Sequence, residues 1–323
     1  VTVDMPIEQG GVYFVSTNNV RLTYNLGTTG VDNLIIVPTT KDVTTINLVV
    51  SKQIYLKGMF ACQNVTLLNQ VPNAASFHYP LRIIAEQNIN IVLDGCKVNG
   101  LVPTKGFAMK SSEVSAVSVD NFIIHNSDIN LAQSGAALYL LTQMSCKNIS
   151  LDNNLIYASS LDGNVTEFKI FNGNGLTVET LNLTSNTLID IDSSGASLYG
   201  LVRAAKVLKA TVKDNLYWLS DAAKAAYFFT GASTLVESLD SSDNFGYSVS
   251  DKPLRMFQNT AIDPDVKLVE GLFNTTDPAT FNKSTGTFIP KEGYTQYNAK
   301  TKNYEKDIDT ISLLIACHHL YLL

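Results

Sequence analysis

The feature that most limits what this chain can fold into is a repeat. "QNINIVLDGCKVNG" from Gln87, "DNFIIHNSDINLA" from Asp120 and "KNISLDNNLIYAS" from Lys147 align column by column. So do "ETLNLTSNTLIDI" from Glu179, "LKATVKDNLYWLS" from Leu208 and, more weakly, "ESLDSSDNFGYSV" from Glu237. Successive copies start roughly 30 residues apart, a period of solenoids rather than of one compact globule. Within the last five copies a polar pair divides two apolar runs: Asn126-Ser127, Asn153-Asn154, Ser185-Asn186, Asp214-Asn215 and Asp243-Asn244. A third apolar segment belongs to each repeat: "FAMK" at Phe107, "ALYLL" at Ala137, "FKIF" at Phe168, "SLYGLVRA" at Ser197, "AYFF" at Ala226 and "LRMF" at Leu254. Glycine-containing turns such as "QSG", "LDG" and "SSG" lead into it.

Three short extended segments per repeat, rich in β-branched residues and without helical period, exclude the helical repeat classes. They predict an all-β fold: a parallel β-helix with three strands and about 30 residues per coil. The polar pair then has a physical task. The backbone must turn sharply between the first and second strands, and Asn tolerates the left-handed conformation of a tight bend. Stacked coil on coil, Asn126, Asn153, Asn154, Asn186, Asp214, Asn215, Asp243 and Asn244 are expected to form a hydrogen-bonded structural ladder, since polar groups beside a core need partners.

Alternation assigns the faces of the first strand. Phe122 and Ile124, Ile149 and Leu151, Leu181 and Leu183, Ala210 and Val212 should point inward. Outward go Asn121 and Ile123, Asn148 and Ser150, Thr180 and Asn182, Lys209 and Thr211, a polar and nearly flat surface suited to a long polar ligand. Residues 1–43 are expected to form a cap or the first coils, 44–262 the β-helix, and 263–323 a loop-rich segment packed on it, all in one structural domain. The apolar end "DTISLLIACHHLYLL" continues no column.

Only 16% of residues are charged and the formal net charge is −6, which gives nucleic acid no electrostatic reason to bind. Cys62, Cys96, Cys146 and Cys317 lack zinc spacing and read as buried thiols. No apolar run is long enough to span a membrane. No leader is visible at the abrupt start "VTVDMPIEQGG", which says nothing about the compartment and leaves a lipid anchor outside this sequence open.

The turn and strand motifs of "FNGNGLTVETLNLTSNTLIDI", "YGLVRAAKVLKATVKDNLYWL" and "DNFGYSVSDKPLRMF" resemble a group of Bacteroidetes surface or secreted proteins of the pectate-lyase-like superfamily, which implies a right-handed, single-stranded parallel β-helix. The likeness runs over residues 80–295. It implies an exported protein at the bacterial cell envelope, extracellular or on the outer-membrane surface, that handles complex polysaccharide. The superfamily's catalytic signatures are missing: there is no Asp-Asp pair, no Gly-His-Gly and no Ile-Asp-His run. Catalytic residues therefore do not carry over, because fold does not deliver function.

Candidate glycan-binding residues are the cations Arg203, Lys206, Lys209 and Lys213, with Asn148, Thr180 and Asn182 on the polar face. A lyase needs a base and a carboxylate-neutralising cation, which Arg203 and Lys206 have the chemistry to supply; a solvated patch is the plainer reading. No metal site or cofactor is expected. Calcium is the one alternative left open, since Asp190 and Asp192 offer only two of its several oxygen ligands. Asp162 and Glu167 are the other carboxylates of interest, and His78, His125, His318 and His319 read as isolated. Tyr217, Trp218, Tyr227, Phe228 and Phe229 read as core rather than sugar-stacking platforms. Sequons at Asn64, Asn148, Asn164 and Asn182 are as expected by chance in so Asn- and Thr-rich a chain. The residues thus favour noncatalytic polysaccharide binding, with a lyase or hydrolase of unfamiliar site as the alternative and an adhesive envelope protein as a third. Oligomeric state leaves no mark on the sequence.

Overall fold

The computed structural model describes residues 2–70, 80–99, 107–111, 113–130, 144–157, 166–167, 171–172, 175–189, 191–192, 200–219, 225–230, 235–248, 253–257, 265–273 and 289–299. They form an all-β parallel solenoid with about 29 residues per turn and almost no helix. Three faces wind around one apolar core.

The first face runs through Gly11–Val15, Gly30–Pro38, Ile54–Gln63, Ile89–Asp94, Val117–His125, Met144–Asp152, Thr177–Thr184, Lys206–Lys213 and Leu235–Ser242, paired in parallel in that order. The second begins at Val3–Ile7 and proceeds through Val20–Tyr24, Ile46–Val50, Val65–Asn69, Lys97–Asn99 and Asp128–Asn130. It continues through Leu155–Tyr157, Thr187–Ile189, Leu216–Leu219 and Asn244–Ser248 to Val266–Leu268. The third face is fragmentary. Leu81–Ile83 and Ala108–Lys110 join the first sheet through Ile54–Leu56, and a separate sheet holds Phe171–Asn172, Val202–Arg203, Ala226–Phe229 and Leu254–Phe257.

Phe122, Ile124, Ile149, Leu151, Leu181, Leu183, Ala210 and Val212 are all buried in this core. Burial alternates along the first-face strands because successive side chains point to opposite sides. The three described cysteines, Cys62, Cys96 and Cys146, are free and buried. Burial pushes the thiols of Cys96 and Cys146 up to about 12, so they stay protonated and inert. Cys317 lies outside the described residues, as do "ALYLL", the turns "QSG", "LDG" and "SSG", and the apolar end of the chain.

The two residues of each corner pair have different jobs. Asn126, Asn153, Ser185, Asp214 and Asp243 hold the left-handed conformation, with φ of 51°, 56°, 55°, 58° and 51°. Gly95 takes the same place in the preceding coil at φ 60°. The next residue turns inward. Asn154, Asn186, Asn215 and Asn244 are buried, and Nδ2 of each of the first three donates to Oδ1 of the next at 3.0, 3.1 and 2.8 Å. Each Oδ1 also accepts a backbone N–H from the coil before: Ser127, Asn154, Asn186 and Asn215 in turn. The remaining Nδ2 hydrogens reach the carbonyls of Ile124, Leu151, Leu183 and Val212 at 2.8–2.9 Å. Ser127 and Cys96 extend the column backwards, with Ser127 Oγ accepting the Cys96 N–H. The left-handed column makes a shorter chain: Asn153 donates to Asn126 Oδ1, and Asn126 to Asp94 Oδ1.

The ends depart from this regularity. Within residues 2–50 the chain alternates between first- and second-face strands with no third strand, and Val3 pairs with Val20 and Ile46 with Val65 in short steps. Later coils are 27 to 32 residues long at the ladder. At the other end, Leu272, Phe273 and Ala299, with Tyr294 and Tyr297, pack on the outward side of the second face against Leu155, Ile189, Trp218 and Phe245. Thr187 Oγ1 donates to Asn298 Oδ1 and accepts the Ala299 N–H, pinning this cover in place. The second-face strands beneath it are therefore buried on both sides, which explains apolar runs such as "LYWL". Tyr217 and Phe228 face the solenoid core, whereas Trp218 lies outside it and is buried by the cover.

Candidate functional site

The outward side of the first face is a long polar surface that carries the candidates Asn148, Thr180, Asn182, Lys206, Lys209 and Lys213. Its strands are not straight. In Val117–His125 the alternation is broken by two successive half-exposed residues, Asp120 and Asn121, and Glu179–Thr180 and Leu208–Lys209 repeat the break. Two neighbouring side chains then point outward, and the sheet bends along a ridge. The bend is also where register slips between Val119 and Asn121 against the preceding strand.

Beside the ridge runs a second, exposed amide column. Asn121 Nδ2 donates to Asn90 Oδ1 at 2.7 Å, and Asn148 Nδ2 to Asn121 Oδ1 at 3.1 Å. Register carries the column on from Asn148 to Thr180, Lys209 and Ser238. The parallel row holds Ile123, Ser150, Asn182, Thr211 and Asp240. At the start of these strands an open groove of about 410 Å³ is lined by Glu86, Gln87, Ser118, Ser145 and Gly175 among others. Toward the N-terminal end the same face changes character: Ile35, Val37, Met59, Ala61 and Val92 are outward yet buried, and Ile123 packs at the border of this apolar group.

The four cations do not form one cluster. Arg203 stands on the third face, partly buried, and burial lowers the pKa of its guanidinium. Lys206, Lys209 and Lys213 lie along a single first-face strand, the outer two roughly 20 Å apart at the usual rise per residue. Lys206 pairs with Glu237 at 2.5 Å and Lys213 with Asp240 at 2.6 Å, both across to the next coil. Lys147 pairs likewise with Asp120 at 2.7 Å; that contact, reinforced by Glu179, raises the lysine's pKa. Among the described residues Lys209 makes no ion pair. Sequence reasoning found the charges but not their partners, because pairing is set by coil-to-coil register.

His125 Nε2 lies 2.9 Å from Ser150 Oγ on this face. Among the described residues the other ring nitrogen has no partner, and the Asp152 carboxylate beside it accepts from the Thr184 hydroxyl instead. The pair thus lacks the third group that orients a catalytic base. No three His, Cys, Asp or Glu side chains among the described residues are grouped as metal ligands. Asp190, Asp162, His78, His318 and His319 lie outside the described residues, as do the side chains of Asp192 and Glu167. No described helix is long and apolar enough to cross a membrane. No family model, curated protein or solved structure matches this chain.

Proposed function

We propose that the protein is an exported, pectate-lyase-like β-solenoid of the bacterial cell envelope that binds complex polysaccharide along its first face without cleaving it. One observation carries the reading. In-register amides and hydroxyls at Asn90, Asn121, Asn148 and Thr180 repeat from coil to coil at the strand spacing of about 4.8 Å. Such a row offers donors and acceptors at many points along an extended hydroxylated chain, and Asn182 and Lys209 flank it. Of the acidic groups on this face, Asp120, Glu237 and Asp240 are held in ion pairs and Asp152 in a hydrogen bond, spread over several coils, which supports binding over acid–base cleavage.

The test is a glycan array probed with the whole chain, followed by incubation with each retained polysaccharide and analysis for new reducing or unsaturated ends. Retention without product is expected. Product accumulation would establish the lyase or hydrolase alternative, and absence of retention across the array would leave an adhesive or structural envelope role.

A further inference from the structure

The ion pairs on the first face bear on which polysaccharide it accepts. A polyuronate carries a carboxylate on every sugar and needs free cations in a row. Here Lys147, Lys206 and Lys213 are each held by a carboxylate of an adjacent coil at 2.7, 2.5 and 2.6 Å. Only Lys209 extends from the face without a carboxylate partner among the described residues, and one cation cannot match a repeating polyanion. The chain's formal net charge of −6 opposes such a ligand further.

The exposed amide column has the opposite chemistry. Asn121 uses one N–H toward Asn90 and one lone pair toward Asn148, and its second N–H and second lone pair have no partner among the described residues. Asn148 is exposed and donates to Asn121; its Oδ1 and other N–H have no partner among the described residues, and Thr180 is its neighbour in register. Every position both donates and accepts, as a sugar hydroxyl does, and none carries charge. We infer that the ligand of this face is a neutral, hydroxyl-rich polysaccharide lying across the coils over Asn90, Asn121, Asn148 and Thr180, not a polyuronate. This rests on the polysaccharide-binding reading above.

Affinity electrophoresis of the whole chain through gels containing a neutral glucan, a neutral mannan or polygalacturonate tests it. Retardation is expected in at least one neutral gel and should change less than about twofold in about 0.5 M salt, where the Debye length is only about 4 Å. Asn121→Ala with Asn148→Ala should weaken retardation at least about fivefold, as lost hydrogen bonds do, while Lys209→Ala, at the edge of the row, should weaken it less than about twofold. Retardation by polygalacturonate alone, abolished by salt or by Lys209→Ala, would overturn the inference and leave polysaccharide binding standing. Neutral-gel retardation that survives the double asparagine substitution would also overturn it. Absence of retardation in every gel would remove both the inference and the reading beneath it.

Discussion

The molecule contains two columns of stacked asparagines, and they differ in environment rather than in chemistry. Asn154, Asn186, Asn215 and Asn244 sit buried at the corner, with each donor and acceptor engaged between coils. Asn90, Asn121 and Asn148 stand on the surface with half of their bonding capacity turned outward. Hydrogen bonds contribute modestly on balance, but a buried group left without a partner costs far more than an exposed one, because water cannot replace it. The inner column should therefore hold the coils together, and the outer one should be nearly dispensable for stability and available for a ligand.

The largest expected effect is at Asn186. Truncation to Ala removes the acceptor of the Asn154 N–H and Nδ2–H, and the donors to Leu151 and Asn215. Chemical denaturation should show a loss of about 3–5 kcal/mol, the sum of several buried groups left unpaired. Next comes Asn153→Ala in the left-handed column. At φ 56° a β-carbon without a compensating side-chain bond is strained, and the contact to Asn126 is lost, so about 1–2 kcal/mol should disappear in the same measurement.

A smaller and pH-dependent effect is expected at Asp214. Burial, and then the neighbouring Asp243, raise its pKa above the ordinary carboxylate value. The folded state thus favours the protonated acid, and this contribution is present in full below the unfolded pKa and lost as pH rises through the folded one. Asp214→Asn, which also suits φ 58°, should stabilise the protein at neutral pH by about 0.5 kcal/mol, a figure limited by solvent screening. That gain should vanish in thermal melts taken below the carboxylate range. Smallest of all is Asn148→Ala, which should shift the denaturation midpoint by less than about 0.5 kcal/mol, as exposed positions do. A loss there comparable to Asn186→Ala would erase the distinction between the columns.

The sequence made the coil visible because inward residues such as Ile149 and Leu151 recur at fixed distance from a polar pair. It did not reveal which member of the pair turns inward. Asn153-Asn154 is symmetric in composition, and Asp214-Asn215 shows the rule only once it is known that the left-handed residue tolerates Asp or Ser while the buried one is an amide in every coil from Asn154 to Asn244. The first coils were hard to align because short steps without a third strand leave no repeat of constant length. Trp218 had a legible clue in "LYWL", a run apolar on both sides, but the cover that buries it comes from Leu272, Phe273, Tyr294, Tyr297 and Ala299, remote in sequence. Likewise the outward apolar group Ile35, Val37, Met59, Ala61 and Val92 breaks the in–out alternation that assigned the polar face farther along. For the candidate site, residue types were readable and ion pairs were not: Lys213 and Asp240 are brought together only by the register of adjacent coils.

Backbone amide hydrogen exchange at the corner tests the inner column most directly. The Asn186 N–H donates to Asn215 Oδ1 at 3.0 Å, and the Ser127 N–H, three coils away from Asn215, donates to Asn154 Oδ1. In Asn215→Ala the Asn186 amide is predicted to lose protection by at least about tenfold while Ser127 keeps its own, since local opening follows the bonds that are removed. Unchanged protection at Asn186 would contradict the account, because its amide would then owe nothing to the side chain stacked above it.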